Sequence, residues 1–156
     1  MSEGFTHLNE DGNARMVDVG AKDETARTAI AEALVVMPAA VTDRLFAGDL
    51  PKGDALGVAR VAAILAAKQT SALGPLCHPI PIDRVDVEIS QVSDGARVVV
   101  TAGTTAKTGI EMEAMTAAAI GAVAIYDMVK GLDRGVEIGA VRLLHKSGGK
   151  SGDWSR

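Results

Sequence analysis

Polar residues dominate the chain to about residue 25, where Asn9-Glu10-Asp11-Gly12-Asn13 reads as a turn within a loose arm. Met16-Val17-Asp18-Val19 is the one apolar alternation in this arm and predicts a short strand or an extended contact. From Ala29 the pattern changes. Ala29, Ala31, Ala33, Val35 and Met37 fall on one side, and Ile30, Glu32, Leu34 and Val36 on the other. That predicts a strand, although the alanine content also permits a helix. Pro38 opens a short helix through Phe46, closed by Gly48. Asp54 is placed to cap a longer helix that runs to about Thr70. Leu56, Val58, Val61, Ile64 and Leu65 spread over nearly every face of it, so it is expected to be buried on more than one side. Val85, Val87 and Ile89 alternate with Asp86, Glu88 and Ser90 as a half-buried strand. Asp94-Gly95 turns the chain into a second strand from Ala96 to about Thr104. A helix from about Ile110 to Leu132 and a strand from Val136 to about Leu144 complete the pattern.

With the short helix after Pro38 set aside, the order is β-α-β-β-α-β, the signature of a ferredoxin-like plait. This is an α+β fold whose two helices cover one face of an antiparallel sheet. The other face needs a cover that the chain lacks the elements to provide, so an oligomer is expected. A single domain is expected over residues 1–156, with an arm over about 1–25 and a flexible Gly/Ser/Lys tail over 147–156.

Composition narrows the picture. At 156 residues the chain suits one domain with a real core. Only 3% of residues are aromatic, so that core must come from Ala, Val, Ile, Leu and Met, which favours close packing of helices on the sheet. A formal charge of -4 and so few aromatics argue against nucleic acid as a partner. Cys77 is the single cysteine, which excludes an intrachain disulfide and makes a reducing, cytoplasmic setting the expectation. The first 20 residues lack the apolar stretch of a signal peptide, and the uncharged run Ala114–Tyr126 is short of the roughly 18 residues of a membrane span.

The plait also distributes the ionisable residues. Lys52 precedes the first long helix, and Asp127 and Lys130 close the second, so all three belong to the upper end, where the first strand finishes. Cys77, His78, Glu111, Glu113, Lys146 and Lys150 belong to the lower end. Glu113 and Asp127 are 14 helical steps apart, roughly 21 Å at the standard rise. One site that uses both ends must therefore be assembled between subunits. Taken one at a time, these residues have ordinary explanations. Asp127 and Lys130, three apart, have the spacing of a surface ion pair. Either glutamate suits a helix N-terminus, but residues two apart diverge by about 200°, so both cannot share one buried face. A lone Cys-His pair is not a metal-binding spacing, and no metal or cofactor is expected. Gly149-Lys150-Ser151 has the ending of a phosphate-binding loop, but Leu144 stands where the leading glycine is required. Two lysines and free backbone N–H groups still suit an anion.

Taken together, Met16-Val17-Asp18-Val19, Lys52-Gly53-Asp54, Pro75-Leu76-Cys77-His78-Pro79, Lys107-Thr108-Gly109-Ile110-Glu111-Met112-Glu113-Ala114, Tyr126-Asp127-Met128 and the run from Val141 to Gly152 resemble the MoaC family, the cyclic pyranopterin monophosphate synthases of molybdenum-cofactor biosynthesis. The resemblance covers nearly the whole chain, in order. It implies a ferredoxin-like homohexamer built as a trimer of dimers, with sites at a dimer interface. It also implies an enzyme, a lyase, that rearranges a cyclic dihydro-GTP (3',8-cyclo-7,8-dihydro-GTP) to cyclic pyranopterin monophosphate and releases diphosphate. Carried onto this sequence, it makes Asp127 the catalytic acid/base with Lys52 and Lys130 as essential neighbours. Leu76, Cys77, His78, Met112 and Glu113 become substrate contacts, and Glu111, Lys146 and Lys150 line the same site. Two positions depart from the family pattern: Ala140 stands where many members have Pro, and His145 where a small residue is common. The alternatives are a non-catalytic nucleotide- or phosphate-binding oligomer and a metal-dependent hydrolase using His78, Glu111 and Glu113.

Overall fold

A computed structural model describes residues 7–9 and 11–156; residues 1–6 and Glu10 of the expected arm lie outside the described residues. The elements are β1 (Thr25–Val36), α1 (Ala39–Ala47), α2 (Ala55–Leu73), β2 (Arg84–Val92), β3 (Gly95–Ala106), α3 (Glu111–Val129), β4 (Glu137–Ser147) and β5 (Trp154–Ser155). They form one sheet in the order β2-β3-β1-β4-β5, and every neighbouring pair is antiparallel. The α+β plait expected from the hydrophobic pattern is therefore present, with α1 and β5 added to it.

Local signals act where the sequence places them. Gly48, at φ 71°, ends α1 in the left-handed conformation that glycine adopts without steric cost. The Asp54 carboxylate accepts a 2.8 Å hydrogen bond from the Gly57 N–H and caps α2. The strand-or-helix ambiguity at Ala29 resolves to a strand, because β1 is the central strand and pairs along its length with β3 and β4. It begins at Thr25, before the apolar alternation, since Thr25 to Thr28 already pair with Gly103 to Ala106. The arm segment 16–19 is an extended contact without strand pairing.

The core lies between the sheet and two long helices. Ala29, Ala31, Ala33 and Val35 of β1 and Ala96, Val98, Val100 and Ala102 of β3 are buried on the helix side. Ala59, Ala63 and Ala67 of α2 and Ala114, Ala117, Ala118, Ala122, Ile125 and Val129 of α3 meet them. Small side chains let the layers approach closely, as the scarcity of aromatics requires. A Cβ built on Gly121 would lie 3.2 Å from Val98 Cγ1 and 3.3 Å from Ala63 Cβ, so α3 is wedged between β3 and α2 at that point. By length and composition α3 could cross a membrane, but half of that stretch is buried inside the fold, where it serves as the core helix.

Among the described residues, no helix lies over the opposite face of the sheet, and the one deeply buried polar group there is Glu32, which accepts from Arg97 Nε at 2.5 Å and Arg142 Nε at 2.6 Å. Burial alone would push the Glu32 carboxyl up, but the hydrogen bonds and charges of the two arginines outweigh it and hold the carboxyl down.

Candidate active site

The upper rim is built by the turn before α2 and the end of α3. Lys52 Nζ donates to Asp127 Oδ2 at 2.9 Å and to the Asp127 carbonyl at 2.6 Å, and Lys130 Nζ reaches Asp127 Oδ1 at 2.7 Å. Lys52 and Lys130 therefore hold both oxygens of one carboxylate. Hydrogen bonds from Lys130 and Lys52 hold the Asp127 carboxyl below the usual carboxylate range, and the same bond raises Lys130. All three side chains are about half exposed. A carboxylate made more acidic and an ammonium made more basic are poorly matched to proton transfer at neutral pH. The trio is assembled but remains open to water.

At the lower rim, a cavity of about 360 Å³ is lined by Leu76, Cys77, His78, Glu111, Met112 and Glu113, with Thr108 and Gly109 between them. The arm supplies His7, Val17, Val19 and Lys22 to the same cavity. His78 Nε2 donates to the Val17 carbonyl at 2.7 Å, so the extended 16–19 segment ties the arm to the site. In a neutral imidazole that bond leaves Nδ1 as an acceptor. Glu111 opens α3 beside Gly109, and Glu113 turns inward, where it also lines a second cavity of about 350 Å³ between α2 and β2. Burial pushes the Glu113 carboxyl up. Its own backbone N–H works against this, and the charge of Glu111 adds to the rise. Burial, and then Glu113, likewise raises the Cys77 thiol, so it is held as a thiol and not as a nucleophilic thiolate.

Next to this cavity is a larger one of about 600 Å³, lined by Lys22, Arg27, Lys107 and Lys150 with Thr25, Thr108 and Ser151. Asp23 is the one acid in its lining. Lys22 and Thr108 line both cavities, so the two are adjacent. The buried hydroxyl oxygen of Thr25 has no hydrogen-bond partner. Four cations around a roomy, polar hollow form an anion-accepting surface. Lys22 and Arg27 were not among the residues singled out from the sequence, and Lys107 stood in a quoted segment without a role. Single cations on separate segments carry no spacing signal, and only the shared lower end of β1, β3 and β4 brings them together. Lys146 does not line this cavity; its ammonium is held by Ser151 Oγ in the adjoining turn. Among the described residues, no group of three or more His, Cys, Asp or Glu side chains converges on a point suited to a metal ion, so His78, Glu111 and Glu113 do not form such a set.

The upper trio and the lower cavities sit at opposite ends of α3, which has 19 residues and spans roughly 28 Å at the standard rise. A sequence model of the MoaC family matches residues 16–149, a span that contains every candidate residue except His7 and Lys150–Ser151. A protein of Corynebacterium efficiens is 53% identical, with 99% of each chain covered. One of Novosphingobium aromaticivorans is 51% identical over 96% of each chain, and one of Brucella ovis is 50% identical over 99% of this chain and 95% of its own. All three carry the name cyclic pyranopterin monophosphate synthase. A plait with these two rims, matched from the arm to the last long strand, identifies the chain as a member of the MoaC family.

Proposed function

We propose that this enzyme is a cyclic pyranopterin monophosphate synthase of molybdenum-cofactor biosynthesis. In this reading it is a lyase that converts 3',8-cyclo-7,8-dihydro-GTP to cyclic pyranopterin monophosphate and diphosphate. The observation that carries the reading is identity of 50% or more, over nearly the full length, to proteins bearing that name.

The site chemistry fits the reaction. A triphosphate needs cations wherever charge gathers, and Lys22, Arg27, Lys107 and Lys150 surround a hollow large enough to hold one. In the diphosphate-releasing step a ribose-derived hydroxyl attacks the α-phosphorus and gives up its proton to a basic group of the site. The new P–O bond forms, the bond from the α-phosphorus to the oxygen bridging it to the β-phosphorus breaks, and diphosphate leaves with its charge neutralised by these cations. Glu113 and Glu111, which line the adjacent cavity, accept hydrogen bonds from the amino and ring N–H groups of the guanine-derived part, with His78, Cys77, Leu76 and Met112 as neighbours. Asp127, Lys52 and Lys130 move the protons of ring opening and reclosure. Covering the trio with a neighbouring subunit and substrate removes water, which works against the shifts of Lys130 and Asp127 and moves both toward the range that proton transfer needs.

That cover comes from a second copy. Asp127 cannot reach the lower cavities of its own protomer, and two of the chain's own surfaces lack partners: the open face of the sheet and an apolar ridge on α2 formed by Val58, Val61 and Leu65. A homohexamer arranged as a trimer of dimers, working in the cytoplasm, satisfies both. Asp127→Ala and Lys52→Ala are each expected to abolish product while keeping the circular dichroism spectrum of the folded wild type. Product is measured by incubating with the cyclic dihydro-GTP, oxidising, and detecting the pterin by fluorescence. Full activity in either folded variant contradicts the assignment.

A further inference from the structure

The last residues of the chain are not used by the mechanism above, yet they are tied to one of its parts. After β4 the backbone turns through Gly148, Gly149 and Gly152, at φ 87°, 72° and 67°, and returns as β5. Trp154 and Ser155 pair with Lys146 and His145. Arg156 N–H donates to the Leu144 carbonyl at 2.9 Å, and Arg156 Nε to the Leu143 carbonyl at 2.9 Å. The Arg156 guanidinium also lies 5.8 Å from the Trp154 ring centroid. By the alternation of antiparallel ladders, Trp154, two residues before Arg156, faces Lys146 as a hydrogen-bonded pair. Three more contacts cross the turn. Gly148 N–H donates to Asp153 Oδ1 at 3.3 Å, His145 Nδ1 lies 2.9 Å from Ser155 Oγ, and Lys146 Nζ is held by Ser151 Oγ. On its inner side the turn is pressed against β1: a Cβ on Gly148 would collide with the Ala26 carbonyl, and one on Gly149 with the Arg27 guanidinium.

We propose that Asp153 and β5 are positioning elements that clamp the Lys146–Ser151 turn and so present Lys150 to the cation-lined cavity, raising its affinity for the substrate's phosphates. The proposal rests on the reading of that cavity as the phosphate site. A turn with three left-handed glycines loses much conformational freedom when it orders. Paired to β5, it carries that loss before the ligand arrives, and the ligand binds more tightly for it. β5 is a two-residue edge strand with exposed side chains, so loosening it does not threaten the core.

The test titrates inorganic tripolyphosphate into the full-length protein by calorimetry, with the steady-state parameters of each variant measured alongside. Four variants are compared: Lys150→Ala, Asp153→Ala, Asp153→Asn, which keeps an acceptor for Gly148, and Trp154→Pro, which removes the ladder N–H. The wild type is expected to bind. Lys150→Ala, Asp153→Ala and Trp154→Pro are expected to weaken binding by about five- to tenfold; in Asp153→Ala and Trp154→Pro KM rises in step with kcat within about twofold, as loss of preorganisation requires, whereas Lys150→Ala also lowers kcat because a cation facing the leaving group is lost. Asp153→Asn is expected to bind as the wild type does. If Asp153→Ala and Trp154→Pro bind normally while Lys150→Ala does not, there is no clamp. If the wild type does not bind, or Lys150→Ala has no effect, the phosphate reading of the cavity fails and the clamp fails with it.

Discussion

Asp127 and Glu113 are carboxyls whose surroundings push them in opposite directions, and that difference can be measured. Asp127 is lowered by its two lysines, so its ionised form stabilises the fold above the unfolded carboxyl's value, and this contribution is lost as pH falls through the lowered folded value. Glu113 is raised by burial, so its contribution is present below the unfolded value and lost as pH climbs through the raised one. Urea midpoints measured across pH therefore separate the two. Asp127→Asn is expected to be less stable than the wild type at neutral pH, with the gap closing in acid. Glu113→Gln is expected to gain on the wild type as pH rises past the carboxylate range. Curves that run parallel to the wild type would contradict both environments. At this scale the sequence was informative where residues form motifs and silent where they do not. The Tyr126-Asp127-Met128 and Leu76-Cys77-His78 segments pointed to both rims, but Lys22 and Arg27 could not be found without the fold, and Lys107, although inside a quoted segment, gained its role only there.

At the scale of elements, periodicity located every long strand and helix, and the errors lie at their ends. β1 starts four residues before Ala29 because Thr-Ala-Arg-Thr has no apolar period, and α3 stops at Val129, three residues short of Leu132, where the chain turns at Gly131. β5 was not legible, because a two-residue strand has no period and depends on the glycine turn that returns it. Alanine content foretold the close approach of the layers but not that Gly121 is a point of close contact with both β3 and α2. Replacing it tests that packing. Gly121→Ala gains about 1 kcal/mol of helix propensity, which its tight contacts with Val98 and Ala63 offset, so its net effect is expected to be small. Gly121→Val adds methyl groups that α2 and β3 leave no room for, and a loss of about 1–3 kcal/mol is expected from chemical denaturation. A neutral Gly121→Val would show a looser interface than the structure describes.

At the scale of the whole molecule, the arrangement of the two rims matters more than either rim alone. The upper trio carries acid and base and lines none of the cavities described above, while the lower cavities have the hollow and the cations but lack the trio. The plait fixes them at opposite ends of α3, and that separation was readable from element order alone. The decisive measurement is subunit mixing. Lys52→Ala and Glu113→Gln proteins, each inactive alone, are unfolded together, reassembled and assayed for the oxidised pterin, with mixed oligomers verified by differential tagging. If one protomer's upper rim works with its neighbour's lower rim, hybrid interfaces pair the two intact halves and activity returns to about a quarter of the wild type's per site, as random pairing in dimers requires. Verified mixed oligomers that stay inactive would contradict the shared site.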